Sequence, residues 1–484
     1  MKSLILLLAT ATLLPALELI SLPGQSPIIN FRFVFRCGSL NDPKGKEGAA
    51  ALTAALLARG GSRSTPYSGI IEKFYPMAAS VDDQTDQEML TITGVTHLDN
   101  LEAYYTTLRD MLLNPGWRPE DLKRLRDDQL TSLRVALRQQ NDEELGKEVL
   151  YNLLLGTAHP HGTVSALEKL TLADLQAFYR QHLTQANLTI ALAGHYPAGF
   201  ADRVKKDFSR LPAGRPSAVK RPALRPLTQT RVTIVKKQTR AVAYSLGFPI
   251  AVNRAHPDFP ALLLANTWFG PHRSSNGNLY QRMREIRGLN YGDYSYLEYF
   301  PRGMFQFEPD PNLARRQQIF QLWIRPVEPP TAHFTLRLAL HELDRLVEKG
   351  LTESDFEETR AFLARNVNLL LKTKANELGY RIDSQFYGIG EYPAYIRSAI
   401  AKLTVDDVNR AIKRHLRKDR LEIVAVAEDA EALQKALLSD APSPMTYNSP
   451  KLADIVEEDK LVSTRKLGLT PAQVRIVPVD RFFE

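Results

Sequence analysis

The chain has 484 residues, of which 44% are hydrophobic and 24% charged, so its composition is that of a globular protein. Because a domain takes roughly 100–200 residues, this length predicts two or three domains. The formal net charge is +8, but the 62 basic residues are interleaved with 54 acidic ones along the whole sequence. The sequence has no aromatic-flanked basic stripe, zinc knuckle or recognition-helix signature, which excludes the usual nucleic-acid-binding classes and favours a mildly basic, solvated surface.

The N-terminus has the pattern of a secretory signal peptide. Lys2 precedes an apolar stretch of about a dozen residues with small side chains such as Ala9 and Ala11, too short for a membrane span. We therefore expect a signal peptide over residues 1–20, and an exported, periplasmic or secreted protein without a membrane span in the mature chain. A first core strand is the alternative interpretation of the same residues.

The single cysteine, Cys37, excludes an internal disulfide framework. It ends the apolar run Ile28–Cys37, which predicts a small buried core residue. No supporting motif points to a catalytic thiol.

Two segments of the sequence repeat each other without a gap. Leu170, Asp174 and His182 lie 233 residues before Leu403, Asp407 and His415, and Glu144-Leu145-Gly146 lie 233 residues before Glu377-Leu378-Gly379. An internal repeat of this length indicates two copies of one domain. The predicted organisation is an N-terminal domain over 21–211, a proline-rich linker over 212–230, a C-terminal domain over 231–440 and a tail over 441–484.

Each copy reads as an α+β domain in which helices pack on a mainly antiparallel sheet. Thr171 is expected to cap a helix together with Asp174. The predicted strands are Pro27–Cys37, Glu88–Val95, Leu188–Ala193 and Arg231–Phe248, with Val474–Val479 as an edge strand. The predicted long helices are Pro119–Gln140 and Glu353–Lys374.

The segment SPIINFRFVFRCGSLNDPKGKEGAAALTAALLARGG resembles the N-terminal signature of the insulinase/pitrilysin family of zinc peptidases. The resemblance spans roughly Leu22 to Ala441 and implies two homologous domains that form half of a clamshell. In active members, the helix after the strand carries H-x-x-E-H, whose histidines bind zinc and whose glutamate is the general base.

The zinc motif is degenerate in this sequence. Ala51, Ala54 and Ala55 stand at the two histidine positions and the glutamate position, and alanine has no lone pair to give a metal. The family's third ligand aligns near Ser132–Arg134, where no acidic residue occurs. We therefore expect no metal and no cofactor in this chain.

No other histidine pattern replaces the zinc motif. His159 and His161 lie in Thr-Ala-His-Pro-His-Gly, which resembles a structural His-Pro-x-Gly turn of the family. His341-Glu342 would begin H-E-x-x-H, but Arg345 stands where the second histidine is needed. The remaining histidines are interpreted as isolated: His97, His182, His195, His256, His272, His333 and His415.

The second copy keeps a different family motif. Met283-Arg284-Glu-Ile-Arg287-Gly288-Leu289-Asn-Tyr291 resembles the C-terminal stretch in which an arginine and a tyrosine seven residues apart reach a bound peptide. The resemblance assigns that auxiliary catalytic role, substrate and transition-state contact, to Arg284 and Tyr291; Arg287 is the weaker candidate. The loop Gly270–Gly277 is expected to border the same cleft.

Two functions remain open at this point. The first is a non-catalytic subunit of a heterodimeric zinc peptidase, in which a homologous partner supplies the zinc and the general base while this chain helps hold an unfolded peptide. The second is a scaffold or binding subunit without a part in proteolysis. The first predicts a sizeable interface, heterodimeric before homodimeric, and loss of activity of the complex when Arg284 is changed.

Overall fold

The structure is a computed structural model that describes residues 17–224 and 226–484. Its eleven strands form one sheet of five and one of six. The strands are β1 Glu18–Pro23, β2 Ile28–Phe35, β3 Ser80–Thr85, β4 Leu90–His97, β5 Leu188–Gly194, β6 Arg231–Lys236, β7 Val242–Ile250, β8 Asp293–Tyr296, β9 Gln318–Val327, β10 Glu422–Ala427 and β11 Val474–Pro478.

Helices surround both sheets. In the first half they are α1 Ala49–Arg59, α2 Tyr67–Phe74, α3 Leu101–Leu113, α4 Pro119–Thr131, α5 Asp142–Leu155, α6 Val164–Leu167, α7 Leu172–His182 and α8 Phe200–Phe208. In the second half they are α9 Phe259–Phe269, α10 Ala332–Lys349, α11 Glu353–Asn366, α12 Lys374–Tyr387, α13 Tyr392–Ile400, α14 Val405–His415, α15 Ala430–Ser439 and α16 Ala453–Thr464. Among the described residues, no helix combines the length and apolar character that crossing a bilayer requires.

The sheets confirm the duplication. The strand order is β1-β5-β2-β4-β3 in the first and β11-β6-β10-β7-β9-β8 in the second, so the second repeats the first with β11 added. The first pair in the shared order is parallel in both sheets: β1 with β5, and its equivalent β6 with β10. The remaining equivalent pairs are antiparallel in both sheets. The predicted α+β class with two homologous, mainly antiparallel domains is therefore correct.

The helix caps repeat as well. Thr171 and Asp174 form a capping box at the start of α7, as predicted, and Thr404 and Asp407 form the same box at the start of α14. In each box the threonine hydroxyl accepts from the backbone N–H of the aspartate, which satisfies a donor that the first helical turn leaves unpaired.

Two predicted elements are divided in the structure. The strand predicted over Arg231–Phe248 is two strands, because β6 runs parallel to β10 while β7 runs antiparallel to it, so the chain must reverse between them. The helix predicted over Glu353–Lys374 ends at Asn366, and Thr373 begins α12 by accepting a hydrogen bond from the Asn376 N–H. The helix predicted over Pro119–Gln140 does continue, in a wider π-helical form from Ser132.

The first and last parts of the chain both contribute edge strands. Residues 1–16 of the predicted signal peptide lie outside the described residues, and Glu18, Leu19 and Ile20 belong to β1, so cleavage after residue 20 would remove half of this strand. The edge strand predicted over Val474–Val479 is confirmed as β11, which pairs in parallel with β6. The chain then returns to the first half, where Arg138 donates to the Phe482 carbonyl at 2.7 Å.

The two halves exchange equivalent helices. Helix α5 of the first half packs on β7, β9 and β10 of the second, and α12 of the second half packs on β2 and β5 of the first. Gly146 and Gly379 are repeat-equivalent and lie at these crossings. A Cβ atom at Gly146 would lie 3.4 Å from the Ser245 hydroxyl of the second half, and one at Gly379 would lie 3.3 Å from the guanidinium carbon of Arg32 in the first half. Each glycine therefore lies in direct contact with the opposite half.

A buried ion pair also crosses between the halves. The Arg315 Nε lies 2.7 Å from Asp86 Oδ2, and both side chains are 1% exposed. The Arg315 guanidinium stacks 3.3 Å from the centre of the Tyr299 ring, and the Tyr299 hydroxyl donates to Glu148 on α5 at 2.7 Å. Asp86 thus compensates a cation that water cannot reach.

We expect Asp86→Ala to lower the free energy of unfolding by about 3–5 kcal/mol, because it leaves the buried Arg315 without its counter-charge. Urea unfolding followed by circular dichroism measures this. The matched control is Glu168→Ala, which removes the half-exposed partner of Arg134 and should cost about 1 kcal/mol or less. Equal losses in the two variants would contradict the importance of the buried pair.

Candidate functional site

Helix α1 carries the degenerate zinc-motif positions. Its N-terminus is fixed by Asp42, whose carboxylate accepts hydrogen bonds from the backbone N–H groups of Gly48 and Ala50 at 2.7 and 2.8 Å. Ala51, Ala54 and Ala55 are 5%, 0% and 2% exposed and pack in the core of the first half. Their methyl groups offer no ligand atom, so these three positions do not fit a zinc ion.

The position expected for a third zinc ligand is equally unsuited to a metal. Leu133 is a core residue, and Arg134 points outward to pair with Glu168. Nearby, the Gln129 side chain donates to the backbone carbonyl of His161. None of the three residues at this position therefore offers a carboxylate to a metal beside α1.

His159 and His161 form the structural turn that the sequence predicts. The Gly162 N–H donates to the His159 carbonyl at 2.7 Å, and the His161 N–H donates to His159 Nδ1 at 3.0 Å. A Cβ atom at Gly162 would lie 2.2 Å from the Glu47 carbonyl oxygen, so the turn packs directly against the start of α1. Burial lowers the pKa of His161 to about 4 and that of His159 well below its usual value, which keeps both rings neutral.

Arg284 and Tyr291 come together at the surface of the second half. Arg284 lies in the π-helical segment Tyr280–Glu285, and Gly288 allows the following turn with a φ of +66°. The Arg284 guanidinium lies 4.9 Å from the centre of the Tyr280 ring and 6.0 Å from that of Tyr291. Tyr291 is 76% exposed and precedes β8, the outermost strand of the second sheet. The structure thus places an exposed phenol beside a half-buried guanidinium, which donates to the Tyr280 hydroxyl and to Glu285.

The two neighbouring arginines point the other way. The buried Arg287 donates to Asp459 at 2.8 Å and to Glu458 at 2.6 Å, and Arg282 donates to Glu342 at 2.9 Å. Glu458 and Asp459 belong to α16, a helix of the predicted tail. Helix α16 therefore anchors the segment from which Arg284 projects, and Arg287 has a structural role, in keeping with its lower rank as a site candidate.

The loop Gly270–Gly277 is tied to the same strand. The Ser295 N–H of β8 donates to the Gly270 carbonyl at 2.7 Å. His272 bridges the Tyr296 hydroxyl and the Gln306 carbonyl, each at 2.8 Å, and so joins this loop to the one that carries the exposed Phe305 and Phe307. The exposed Phe305 and Phe307 thus belong to a loop that is joined, through His272, to β8, the strand that Arg284 and Tyr291 precede.

One group of side chains departs from the sequence interpretation. His256 and His415 were expected to be isolated, but the folded chain brings them together beside Asp258. His256 lies just before α9, Asp258 directly precedes this helix, and His415 ends α14. No motif signals this group, because Asp258 and His415 are 157 residues apart along the chain and meet through the packing of α14 on α9.

A family model supports the interpretation of this fold. The model described as peptidase M16 inactive domain matches residues 169–363, which include Arg284 and Tyr291. This part of the chain is similar to a peptidase M16 inactive domain. The match begins after α1 and so leaves the helix with the three alanines outside it.

Two curated proteins illustrate the relatives of this chain. An uncharacterized zinc protease of Streptomyces coelicolor is 28% identical over 307 residues, 60% of this chain and 59% of that protein. An uncharacterized zinc protease of Bacillus subtilis is 22% identical over 319 residues, 64% of this chain and 71% of that protein. The chain thus spans about three fifths of the length of the Streptomyces relative.

Solved structures share the M16 fold. A peptidase M16 inactive domain from Pseudomonas fluorescens matches with a TM-score of 0.72 and 22% identity, over 84% of this chain and 94% of that one. The periplasmic protease PqqL from Escherichia coli matches with a TM-score of 0.66 and 14% identity, over 94% of this chain and 50% of that one. This chain therefore has the architecture of half of a PqqL-like molecule.

Ala54→Glu introduces the residue type that serves as general base in active members. We expect this variant to lose about 3 kcal/mol or more of folding stability, because position 54 is fully buried and has no partner for the charge. Chemical unfolding measures the loss. Ala103→Glu, at an exposed position on α3, is the matched control and should change stability by about 0.5 kcal/mol or less. A well-folded Ala54→Glu protein would show that α1 can still accommodate the zinc motif.

Proposed function

We propose that this chain is the non-catalytic subunit of a heterodimeric zinc metallopeptidase and helps bind a peptide or unfolded protein substrate. A homologous subunit with an intact zinc helix supplies the metal and the general base. The observation that carries the proposal is the contrast between two sites: the zinc positions are buried alanines, whereas the partly exposed Arg284, which pairs with Glu285, lies beside the exposed Tyr291.

The chemistry of the pair suits a peptide backbone. The guanidinium of Arg284 is charged at every physiological pH and holds its donors in a fixed plane, so it can donate to peptide carbonyl oxygens. The Tyr291 hydroxyl can donate to an oxygen on which negative charge develops, and a donor that is already in place stabilises such a transition state most. The aromatic ring of Tyr291 adds apolar contact with the substrate.

The anchoring of the segment supports the same role. Arg287 and Met283 are buried on either side of Arg284, and Arg287 is fixed by two carboxylates of α16. A side chain that projects from such a segment loses little conformational freedom when it binds a ligand, which favours binding. This is the arrangement expected of a substrate contact.

The comparison with PqqL supports the partnership. Half of the PqqL chain matches almost all of this one, so the PqqL chain is about twice as long as the fold seen here. We propose that this fold likewise pairs with a second fold of the same kind, which carries the intact zinc helix. Zinc would then reside in the partner, and the relatives named zinc proteases fit a family in which that chemistry occurs.

The decisive experiment compares this chain alone, a zinc-helix homologue alone, and the two co-purified, in peptide cleavage and zinc content. We expect cleavage by the complex and none by this chain. Arg284→Ala should lower kcat/KM of the complex by about 10²-fold, the loss typical of removing a transition-state donor. Arg397→Ala, an exposed arginine on α13, is the matched control and should leave the activity unchanged.

Two outcomes would overturn parts of this proposal. Cleavage by this chain alone with stoichiometric zinc would contradict the partner-subunit role. Full activity of the complex with Arg284→Ala and with Tyr291→Phe would instead support the scaffold function, in which the pair takes no part in proteolysis.

The proposal also predicts the assembly state. Light scattering after size-exclusion chromatography should give the mass of a heterodimer for the co-expressed chains. Where the homologue is absent, we expect a homodimer as the second choice, since one clamshell half alone leaves the cleft face of its sheets without a partner. A strictly monomeric profile in both samples at micromolar concentration would contradict it.

A further inference from the structure

We propose that His256, Asp258 and His415 form a binding site for one divalent transition-metal ion, with Zn²⁺ as the reference ion. The site lies between the start of α9 and the end of α14 and is separate from the degenerate zinc positions on α1. It does not depend on the proposed function.

The three side chains already converge. One nitrogen or oxygen atom of each lies within 4.8 Å of those of the other two. His415 Nε2 lies 2.7 Å from Asp258 Oδ2, and the rings of His256 and His415 meet edge to face with their centres 5.1 Å apart. Zinc holds imidazole nitrogen and carboxylate oxygen at about 2.0–2.2 Å, so shifts of a few tenths of an ångström to about one ångström would close the site.

The donor set suits a transition metal. Two histidines and one carboxylate, with further positions open to water, are a common set for Zn²⁺ and for non-haem Fe²⁺. The Nε2 atom of His415 and the carboxylate of Asp258 would bind the ion, and a ring nitrogen of the partly exposed His256 would complete the set.

The surrounding backbone holds these residues in place. The His256 N–H donates to the Asn253 carbonyl at 2.8 Å, and the Phe259 N–H donates to the His256 carbonyl at 2.9 Å, so a tight turn leads into α9. Asp258 precedes α9 without capping it through its side chain, and its carboxylate points to α14 instead. An ion at this point would tie the beginning of α9 to the end of α14.

The first half of the chain lacks an equivalent. His182 is the repeat counterpart of His415, but its Nδ1 lies 2.8 Å from the Ser217 hydroxyl, and the position equivalent to Asp258, directly before α1, is Gly48. The carboxylate and the second histidine thus occur only in the second half. Packing of the helix pair alone does not require them, because the first half packs the same pair, α1 and α7, without them.

A second group with metal-ligand side chains, His341, Glu342 and Glu458, carries no such proposal. Arg282 and Arg345 contact both glutamates, and Arg287 also donates to Glu458. Burial would raise the pKa of Glu458, but hydrogen bonds from His341 and Arg287 and the charge of Arg282 lower it to about 2. Its charge is therefore already compensated by arginines. Among the described residues, Arg414 is the one arginine or lysine that pairs with Asp258, and its side chain is 67% exposed.

The test uses the full chain without an affinity tag, stripped with EDTA, and isothermal titration with Zn²⁺. We expect one Zn²⁺ per chain with a Kd in the micromolar range or below, and a rise in Tm on binding. His256→Gln, Asp258→Asn and His415→Gln should each weaken Zn²⁺ binding by at least about 10-fold. Loss of a residue that only hydrogen-bonds to a metal ligand already weakens metal binding by about this much. Arg414→Gln should tighten binding, because it removes the competing cation.

His195→Gln, which changes an exposed histidine elsewhere, is the matched control and should bind like the unchanged protein. Co²⁺ offers an independent readout: the visible absorption of bound Co²⁺ should disappear in the three ligand variants and remain in the control. If a ligand variant unfolds in EDTA, His256→Gln decides the question, since this side chain is the least constrained of the three. Absence of stoichiometric Zn²⁺ binding, or equal binding by His256→Gln and the unchanged protein, would overturn the proposal.

Discussion

The exchange of α5 and α12 between the halves is the constraint on which the rest of the structure depends. Each helix completes the core on the sheet of the other half, so neither half buries its own sheet without the other. The Asp86–Arg315 pair lies in the same interface and fixes how the two halves align, since a buried charge that loses its partner destabilises the fold strongly. The two repeats thus form one packed unit.

This constraint explains why the repeats can diverge in chemistry without losing the fold. The helix pairs α1 with α7 and α9 with α14 pack in the same way, yet one carries buried alanines and the other a group of two histidines and an aspartate. Arg284 lies on a third element, whose anchor is the tail helix α16 and not the repeat itself. The candidate functional residues therefore lie at positions where the packing of the two halves does not dictate the type of side chain.

The sequence predicts much of this architecture because local signals and the repeat agree. The Thr171 capping box and the β11 edge strand follow from residue type and spacing, and the sequence repeat places Asp407 where the first copy has Asp174. The break between β6 and β7 cannot be predicted in this way. A continuous apolar run does not show where the chain reverses direction when one sheet contains both parallel and antiparallel strand pairs. The approach of His256 to His415 and the contact of α16 with Arg287 also escape prediction, since both join residues far apart in sequence through tertiary packing.

The separation of the two family sites bears on how a zinc peptidase can divide its work between chains. Zinc ligands must be polar and reachable by water, and such groups on α1 would replace apolar contacts in the core of the first half. Alanine at Ala51, Ala54 and Ala55 restores those contacts. Arg284 and Tyr291 lie in the second half, and the segment that carries Arg284 is anchored to α16 through Arg282 and Arg287. The residues that anchor this segment are therefore separate from the three alanines on α1, so the two positions can change independently.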